Sequence, residues 1–117
     1  MADDDDAIVH QARIGDGRVL LSRATCERYL AGAGSAVLLE REGLVFLVPL
    51  GGPSASGMLL KQRNAQGDRV LLAEEFLAAR GLGRFATERS FDLRWVDEVG
   101  ALLIEGMGQT VAGTGSA

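Results

Sequence analysis

Short apolar segments separated by glycine-containing turns occupy most of the chain. In the segment 91–95 the apolar residues take alternate positions, which is the period of a half-buried strand. The runs Val37–Glu40 and Leu44–Val48 are almost wholly aliphatic and flank a turn at 41–43, so they predict a hairpin buried on both faces. A second hairpin is predicted from Phe91–Val96 and Ala101–Ile104, around a turn at 97–100. The pattern therefore favours a mainly β protein.

Two segments instead have helical character. The first runs from Arg23 to Ala31 before Gly32, and the second runs from Glu74 to Arg80 before Gly81. Glycine directly after a helix supplies the left-handed residue of a C-cap, and Ser22 is a suitable N-cap for the first helix. The side chains predicted to face the core from these helices are those of Cys26, Tyr29, Leu30, Phe76 and Leu77.

An internal repeat relates the two halves of the chain. Gly15–Ser22 recurs as Gln66–Ala73 at an offset of 51 residues, and strand-like segments precede both copies, at Ile8–Arg13 and Met58–Arg63. We therefore predict two similar β-β-α-β-β units that form a small barrel or a pair of packed sheets with two short helices (α+β). The predicted divisions are a disordered acidic terminus (1–7), the first unit (8–50), a Gly/Ser/Pro linker (51–57), the second unit (58–107) and a disordered tail (108–117).

Charge is unevenly distributed. The 117 residues carry a formal net charge of −4, and Asp3–Asp6 account for the whole deficit, so the body of the chain is balanced. Every basic residue except Lys61 is arginine, whose guanidinium group suits phosphate and carboxylate recognition. The acidic amino terminus is unlike a signal peptide, and no apolar run is long enough to cross a membrane, so we expect a cytoplasmic protein without a membrane partner.

The order of motifs resembles the AbrB-type swapped-hairpin family within the cradle-loop barrels. The resemblance lies in the Gly-Arg and aliphatic segment Asp16–Ser22, a short helix ending at Tyr29–Gly32, and a closing hairpin from Ala36–Glu40 and Leu44–Pro49. Two such units in one chain give a layout similar to that of MraZ. The resemblance implies a swapped or pseudo-symmetric barrel and transcriptional regulation by DNA binding.

Candidate DNA contacts follow from this resemblance. Basic residues around the first hairpin and the Gly-Arg element commonly face DNA in that family, and the matching positions here are Arg13, Arg18, Arg23, Lys61, Arg63 and Arg69. Asn64 joins them because the donor-rich stretch 61–64 has side chains that can pair with adenine or guanine. The alternative for that stretch is a solvated strand end and turn.

Partner binding is the alternative function. Unpaired edges of a small sheet favour a homodimer, and an apolar edge would suit an accessory or scaffold protein that binds another protein. Its candidate contacts are Phe91, Leu93 and Trp95, although such a stripe is more often core.

Catalysis is not favoured by the residues present. His10 could act as a base beside Asp16, but no motif places a nucleophile near it, and a surface or interface histidine is the simpler interpretation. Cys26 lies on the apolar helical face, where a structural thiol is expected. No residue pattern indicates a cofactor or a metal site, so we predict a non-enzymatic protein.

Overall fold

The computed structural model describes residues 10–51, 58–83 and 87–107. The acidic terminus, most of the predicted linker and all of the predicted tail therefore lie outside the described residues. The elements are β1 (His10–Gly15), β2 (Arg18–Leu21), α1 (Arg23–Tyr29), β3 (Ser35–Arg41), β4 (Leu44–Leu50), β5 (Met58–Gln62), β6 (Arg69–Leu72), α2 (Glu74–Ala78), β7 (Arg89–Val96) and β8 (Ala101–Ile104).

The eight strands form a closed antiparallel barrel. Their order around it is β1-β2-β6-β5-β3-β4-β8-β7, and β7 pairs with β1 to close the ring. The mainly β class, the barrel and the two short helices were predicted, whereas the grouping into two equivalent units stays a prediction. Both helices end two residues earlier than the sequence pattern indicates.

Two tight hairpin turns define the strand directions. Asp16 and Gly17 link β1 to β2 with φ angles of 54° and 73°, and Glu42 and Gly43 link β3 to β4 with φ angles of 53° and 80°. Two-residue loops with two positive φ angles are type I′ turns, whose twist matches that of the strands they join. The predicted turns at these positions are confirmed.

The core fills the barrel, and a smaller cluster lies outside it. Val45 and Leu47 are fully buried inside, where they pair with Ile104 and Leu102. Phe46 points to the other face, where it is 6% exposed and packs with Ala101 and Leu103, together with partly buried residues of β3, β4 and β7. The prediction that the first hairpin is buried on both faces is therefore confirmed for β4.

The two copies of the Arg-Val-Leu-Leu repeat pair with each other, but they face opposite ways. Arg18 of β2 lies opposite Leu72 of β6, and Leu21 lies opposite Arg69. Directly paired residues point to the same side of a sheet, so residues that match at an offset of 51 point to different sides. Leu21 is 1% exposed inside the barrel, whereas its match Leu72 is 47% exposed outside it.

Closure of the barrel also affects the dimer prediction. That prediction depended on unpaired edges, and each of the eight strands of the described chain has a neighbour on both sides. The argument from unpaired strand edges therefore no longer supports a homodimer, which stays a prediction. Among the described residues, no helix has the length and apolar character required to cross a membrane.

Candidate nucleic-acid interface

One side of the barrel combines basic and apolar side chains. The outward positions of β1, β2, β6 and β5 form a surface that we call the basic face, and its residues are Gln11, Arg13, Gly15, Arg18, Leu20, Leu59, Lys61, Val70 and Leu72. The strand register fixes their arrangement, because Arg13 lies opposite Leu20, Leu20 opposite Val70, and Val70 opposite Lys61. No acidic residue occupies an outward position on these four strands.

Four of the predicted DNA-contacting residues lie on or beside the basic face. Arg13, Arg18, Lys61 and Arg63 are all exposed. Arg13 pairs with Glu88 at 3.5 Å, and both side chains remain about half exposed, at 50% and 52%. Arg18 and Lys61 take part in no ion pair within the part of the chain that is described.

A groove of about 280 Å³ opens at one end of the basic face. It lies where β1 begins and β2 and β5 end, and Arg13 and Arg63 contribute its guanidinium groups. The full lining also includes hydroxyl, amide and carboxylate groups and comprises Gln11, Arg13, Leu20, Leu21, Ser22, Arg63, Asp68 and Ser90. Two guanidinium groups beside one carboxylate leave one positive charge in excess, and guanidinium groups can hold a phosphate or a carboxylate.

Asn64 holds the turn between β5 and β6. Its Oδ1 accepts from the backbone N–H groups of Gln66 and Asp68, at 3.1 and 3.2 Å, and its Nδ2 donates to Asp68 Oδ2 at 3.0 Å. These contacts match the turn interpretation of the stretch 61–64 and occupy the amide that was considered for base reading. The remaining exposed cations of the stretch are Lys61 and Arg63.

Asp68 adds a stabilised negative charge to the groove. The pKa of Asp68 is lowered, first by the Asn64 hydrogen bond and then by the Arg23 backbone N–H, with smaller effects from the charges of Arg63 and Arg13. The Arg23 N–H donates to Asp68 Oδ1 at 2.8 Å. The Asp68 carboxylate therefore stays ionised at neutral pH and offsets part of the positive charge of the groove.

Arg23 and Arg69 make local contacts. Arg23 Nε donates to Glu27 Oε2 at 2.8 Å, an exposed i,i+4 pair on α1. Arg69 donates to the backbone oxygens of Ala33 and Leu60, at 2.9 and 3.1 Å, and is half-buried. Arg69 thus ties the end of β6 to its surroundings, and its assigned DNA contact stays a prediction without geometric support.

The aromatic stripe of β7 lies mainly inside the barrel. Phe91 is 5% exposed and Leu93 is 8% exposed, so both are core residues in this fold. Trp95 is partly exposed, stacks on Tyr29 with ring centroids 5.6 Å apart, and donates from Nε1 to Asp97 at 2.7 Å. Of the proposed partner-binding residues, only Trp95 therefore offers surface.

His10 and Cys26 are both buried. His10 Nδ1 lies 2.9 Å from the Thr25 hydroxyl oxygen, which in turn lies 3.1 Å from the Ser22 hydroxyl. Asp16 follows the far end of β1, so it cannot orient His10. Burial raises the pKa of the Cys26 thiol, which is a property of a structural cysteine. No cluster of three metal-ligating side chains occurs within the described ranges.

Sequence reasoning missed the apolar half of the basic face. Leu59 and Leu72 are 53% and 47% exposed and lie on adjacent strands, one residue beyond the Leu60–Leu71 pair. The repeat suggested that matching residues of its two copies point to the same side of the sheet. The pairing register of β2 with β6 instead places Leu72 on the outer side. Ser22 and Ser90 of the groove carried no motif that could have identified them.

Comparison with known proteins gives no relative, because no family model, curated protein or solved structure matches the chain.

Proposed function

We propose that the protein is a non-enzymatic DNA-binding transcriptional regulator of the AbrB-like type. In this proposal Arg13, Arg18, Lys61 and Arg63 bind phosphates of the duplex. The observation that carries the proposal is the strand order, which brings basic residues from distant parts of the chain onto one continuous sheet face.

The strand order also supports the family proposal. The β1-β2 hairpin lies between β6 and β7, and the β5-β6 hairpin lies between β2 and β3. Each hairpin is thus flanked by strands of the other half of the chain, which is the arrangement expected of a swapped-hairpin barrel. The proposal includes two β-β-α-β-β units, at residues 8–50 and 58–107, that form one swapped barrel.

The proposal sets the size of the salt dependence. Four phosphate contacts give a slope of about −3.6 for log affinity against log salt. Between about 50 and 200 mM salt, the affinity then falls by ~100-fold. Such contacts position a protein on the duplex, and base reading needs further contacts in the grooves of the DNA.

The experiment compares two double variants of equal net charge. Arg18→Ala with Lys61→Ala removes two cations from the basic face, and neither is part of an ion pair within the described chain. Arg41→Ala with Arg94→Ala removes two exposed cations from β3 and β7. Binding to pooled random duplexes is measured by fluorescence anisotropy over the same salt range.

We expect the first variant to lose about half of the salt slope and the control to keep it. Equal weakening of both variants would show a general charge effect, which contradicts a localised interface. Absence of binding by the unmodified chain at about 50 mM salt would refute the proposal itself.

A second candidate function is binding of another protein through the same side of the barrel. The exposed Leu59 and Leu72 favour it, because leucine contributes little to phosphate contacts but much to a protein interface. Because the barrel is closed, the protein-binding surface would be the outer face of the sheet and not the apolar edge that the sequence predicted. Sedimentation velocity at low and high salt tests the case in which the bound protein is a second copy of the chain. A salt-resistant homodimer that Leu59→Gln with Leu72→Gln abolishes would show that this face binds protein, and loss of DNA binding in the same variant would instead place the two leucines in the DNA interface.

A further inference from the structure

The acidic segment Asp3–Asp6 and the groove on the basic face have complementary chemistry. We propose that this segment docks in the groove of its own chain and competes there with nucleic acid. The docking itself requires only the groove, whereas its consequence for DNA rests on the proposed function. Residues 1–9 lie outside the described residues, so the argument uses their sequence and the place where the described chain begins.

Charge is the first argument. Asp3–Asp6 carry the whole net negative charge of the protein, and the rest of the chain is balanced. In the groove, the Asp68 carboxylate offsets one of the two guanidinium charges and leaves one positive charge in excess. Arg13 has a long ion pair with Glu88, at 3.5 Å between half-exposed groups. Arg63 adds a second exposed guanidinium. Arginine binds carboxylates through paired N–H donors, and phosphate oxygens are bound by the same donors.

Neutral donors complete the site. The hydroxyl groups of Ser22 and Ser90 and the amide of Gln11 line the same groove. Carboxylates accept hydrogen bonds from such groups, so these donors would orient the carboxylates of an acidic segment, in addition to the attraction between opposite charges.

Reach is the second argument. The described chain begins at His10, the first residue of β1, and the next residue, Gln11, already lines the groove. Arg13 lies three residues along the strand, ~10 Å away. An extended chain covers ~13 Å from His10 back to Asp6 and ~23 Å back to Asp3. The acidic segment can therefore turn back onto Arg13 and Arg63.

Tethering strengthens a weak contact. The segment and the groove belong to one chain, and a short covalent connection gives an effective concentration in the millimolar range, so the segment does not need high intrinsic affinity. If it occupies the groove ~90% of the time, the apparent affinity for DNA falls ~10-fold. Salt weakens the docking too, because the Debye length shortens from ~14 Å at 50 mM to ~4 Å at 500 mM.

The first test needs no nucleic acid. Full-length protein is compared with the full-length variant Asp3→Asn, Asp4→Asn, Asp5→Asn, Asp6→Asn by NMR of the arginine Nε–Hε groups at about 50 mM salt. We expect the signals of Arg13 and Arg63 to shift, and the signal of the exposed Arg41, on β3 at four strands from β1 around the ring, to stay in place. Unchanged Arg13 and Arg63 signals would overturn the proposal.

The second test measures competition with DNA. A charge-matched control carries four changes away from the groove, namely Glu42→Gln, Glu75→Gln, Glu98→Gln and Glu105→Gln. Relative to this control, we expect the acidic-segment variant to bind random duplexes ~10-fold more tightly at 50 mM salt, with the difference lost near 500 mM. Equal affinity of the two variants would overturn the competition.

The two tests also separate this proposal from the proposed function. Shifted arginine signals without DNA binding by any variant would refute DNA binding and leave the docking supported. DNA binding with unshifted arginine signals would support the regulator and refute the docking.

Discussion

Leu21 and Leu72 occupy matching positions of the repeat but opposite faces of the barrel, which gives a sharp prediction for stability. Leu21 is 1% exposed in the core, and Leu72 is 47% exposed on the basic face. Leu21→Ala removes buried methyl groups and leaves a cavity, so we expect a loss of about 3 kcal/mol. Leu72→Ala removes atoms already half in water and leaves no cavity, so we expect a loss below about 1 kcal/mol.

Urea unfolding followed by circular dichroism measures both changes. With an m-value of about 2 kcal/mol/M, the midpoint should fall by ~1.5 M for Leu21→Ala and by less than ~0.5 M for Leu72→Ala. The two m-values should agree, so that the midpoints report stability alone.

The arginines of the repeat provide a matched second pair. Arg69→Met removes the donors to the Ala33 and Leu60 carbonyls and should cost about 1–3 kcal/mol. Arg18→Met should leave stability within about 0.5 kcal/mol of the parent.

The leucine variants decide the strand register. Equal losses of stability in Leu21→Ala and Leu72→Ala would mean that both copies of the repeat face the same way, and would refute the β2–β6 register.

Three further predictions follow from local geometry. Gly17→Ala should destabilise the protein by ~1 kcal/mol more than Gly43→Ala in urea unfolding. Both residues have a positive φ, but of the two only Gly17 would place a new Cβ 3.1 Å from a neighbouring side chain. Cys26 should react with a thiol reagent ~10-fold or more slowly than in urea, since burial raises its pKa; a fast reaction in the native state would place the thiol at the surface. The hydrogen bond from Asn64 helps to lower the pKa of Asp68, so the carboxylate stabilises the fold above its ordinary pKa and this contribution is lost as pH falls through the folded value. Asp68→Asn should therefore flatten the fall of the urea midpoint between about pH 5 and pH 2, and an unchanged pH profile would contradict the assigned contacts.

Local signals were sufficient to predict most of the elements. The positive φ angles at 16–17 favour the Asp-Gly pair found there, and Gly43 suits the second such position at 42–43. The Ser22 side chain accepts from the Thr25 N–H as an N-cap should. Alternation placed Phe91 and Leu93 on one face of a strand. It could not decide whether that face was core or surface, because this depends on which strands close the barrel.

The register between distant strands could not be predicted from the repeat. A shift of one residue reverses every side chain of a strand, and a match of Val70 to Val19 contains no information about that shift. The basic face has the same origin, since Arg13, Leu20, Val70 and Lys61 become neighbours only through pairing of β1, β2, β6 and β5. The candidate residues were thus predictable one by one, but their common surface was not.

The central claim is that the outer face of β1, β2, β6 and β5 binds the duplex, and backbone amide NMR during a DNA titration tests it most directly. The account predicts shift changes concentrated in these four strands and in the β5–β6 turn, with β3, β4 and β8 unaffected. Changes concentrated in β3, β4 and β8, or no changes at about 50 mM salt, would contradict it.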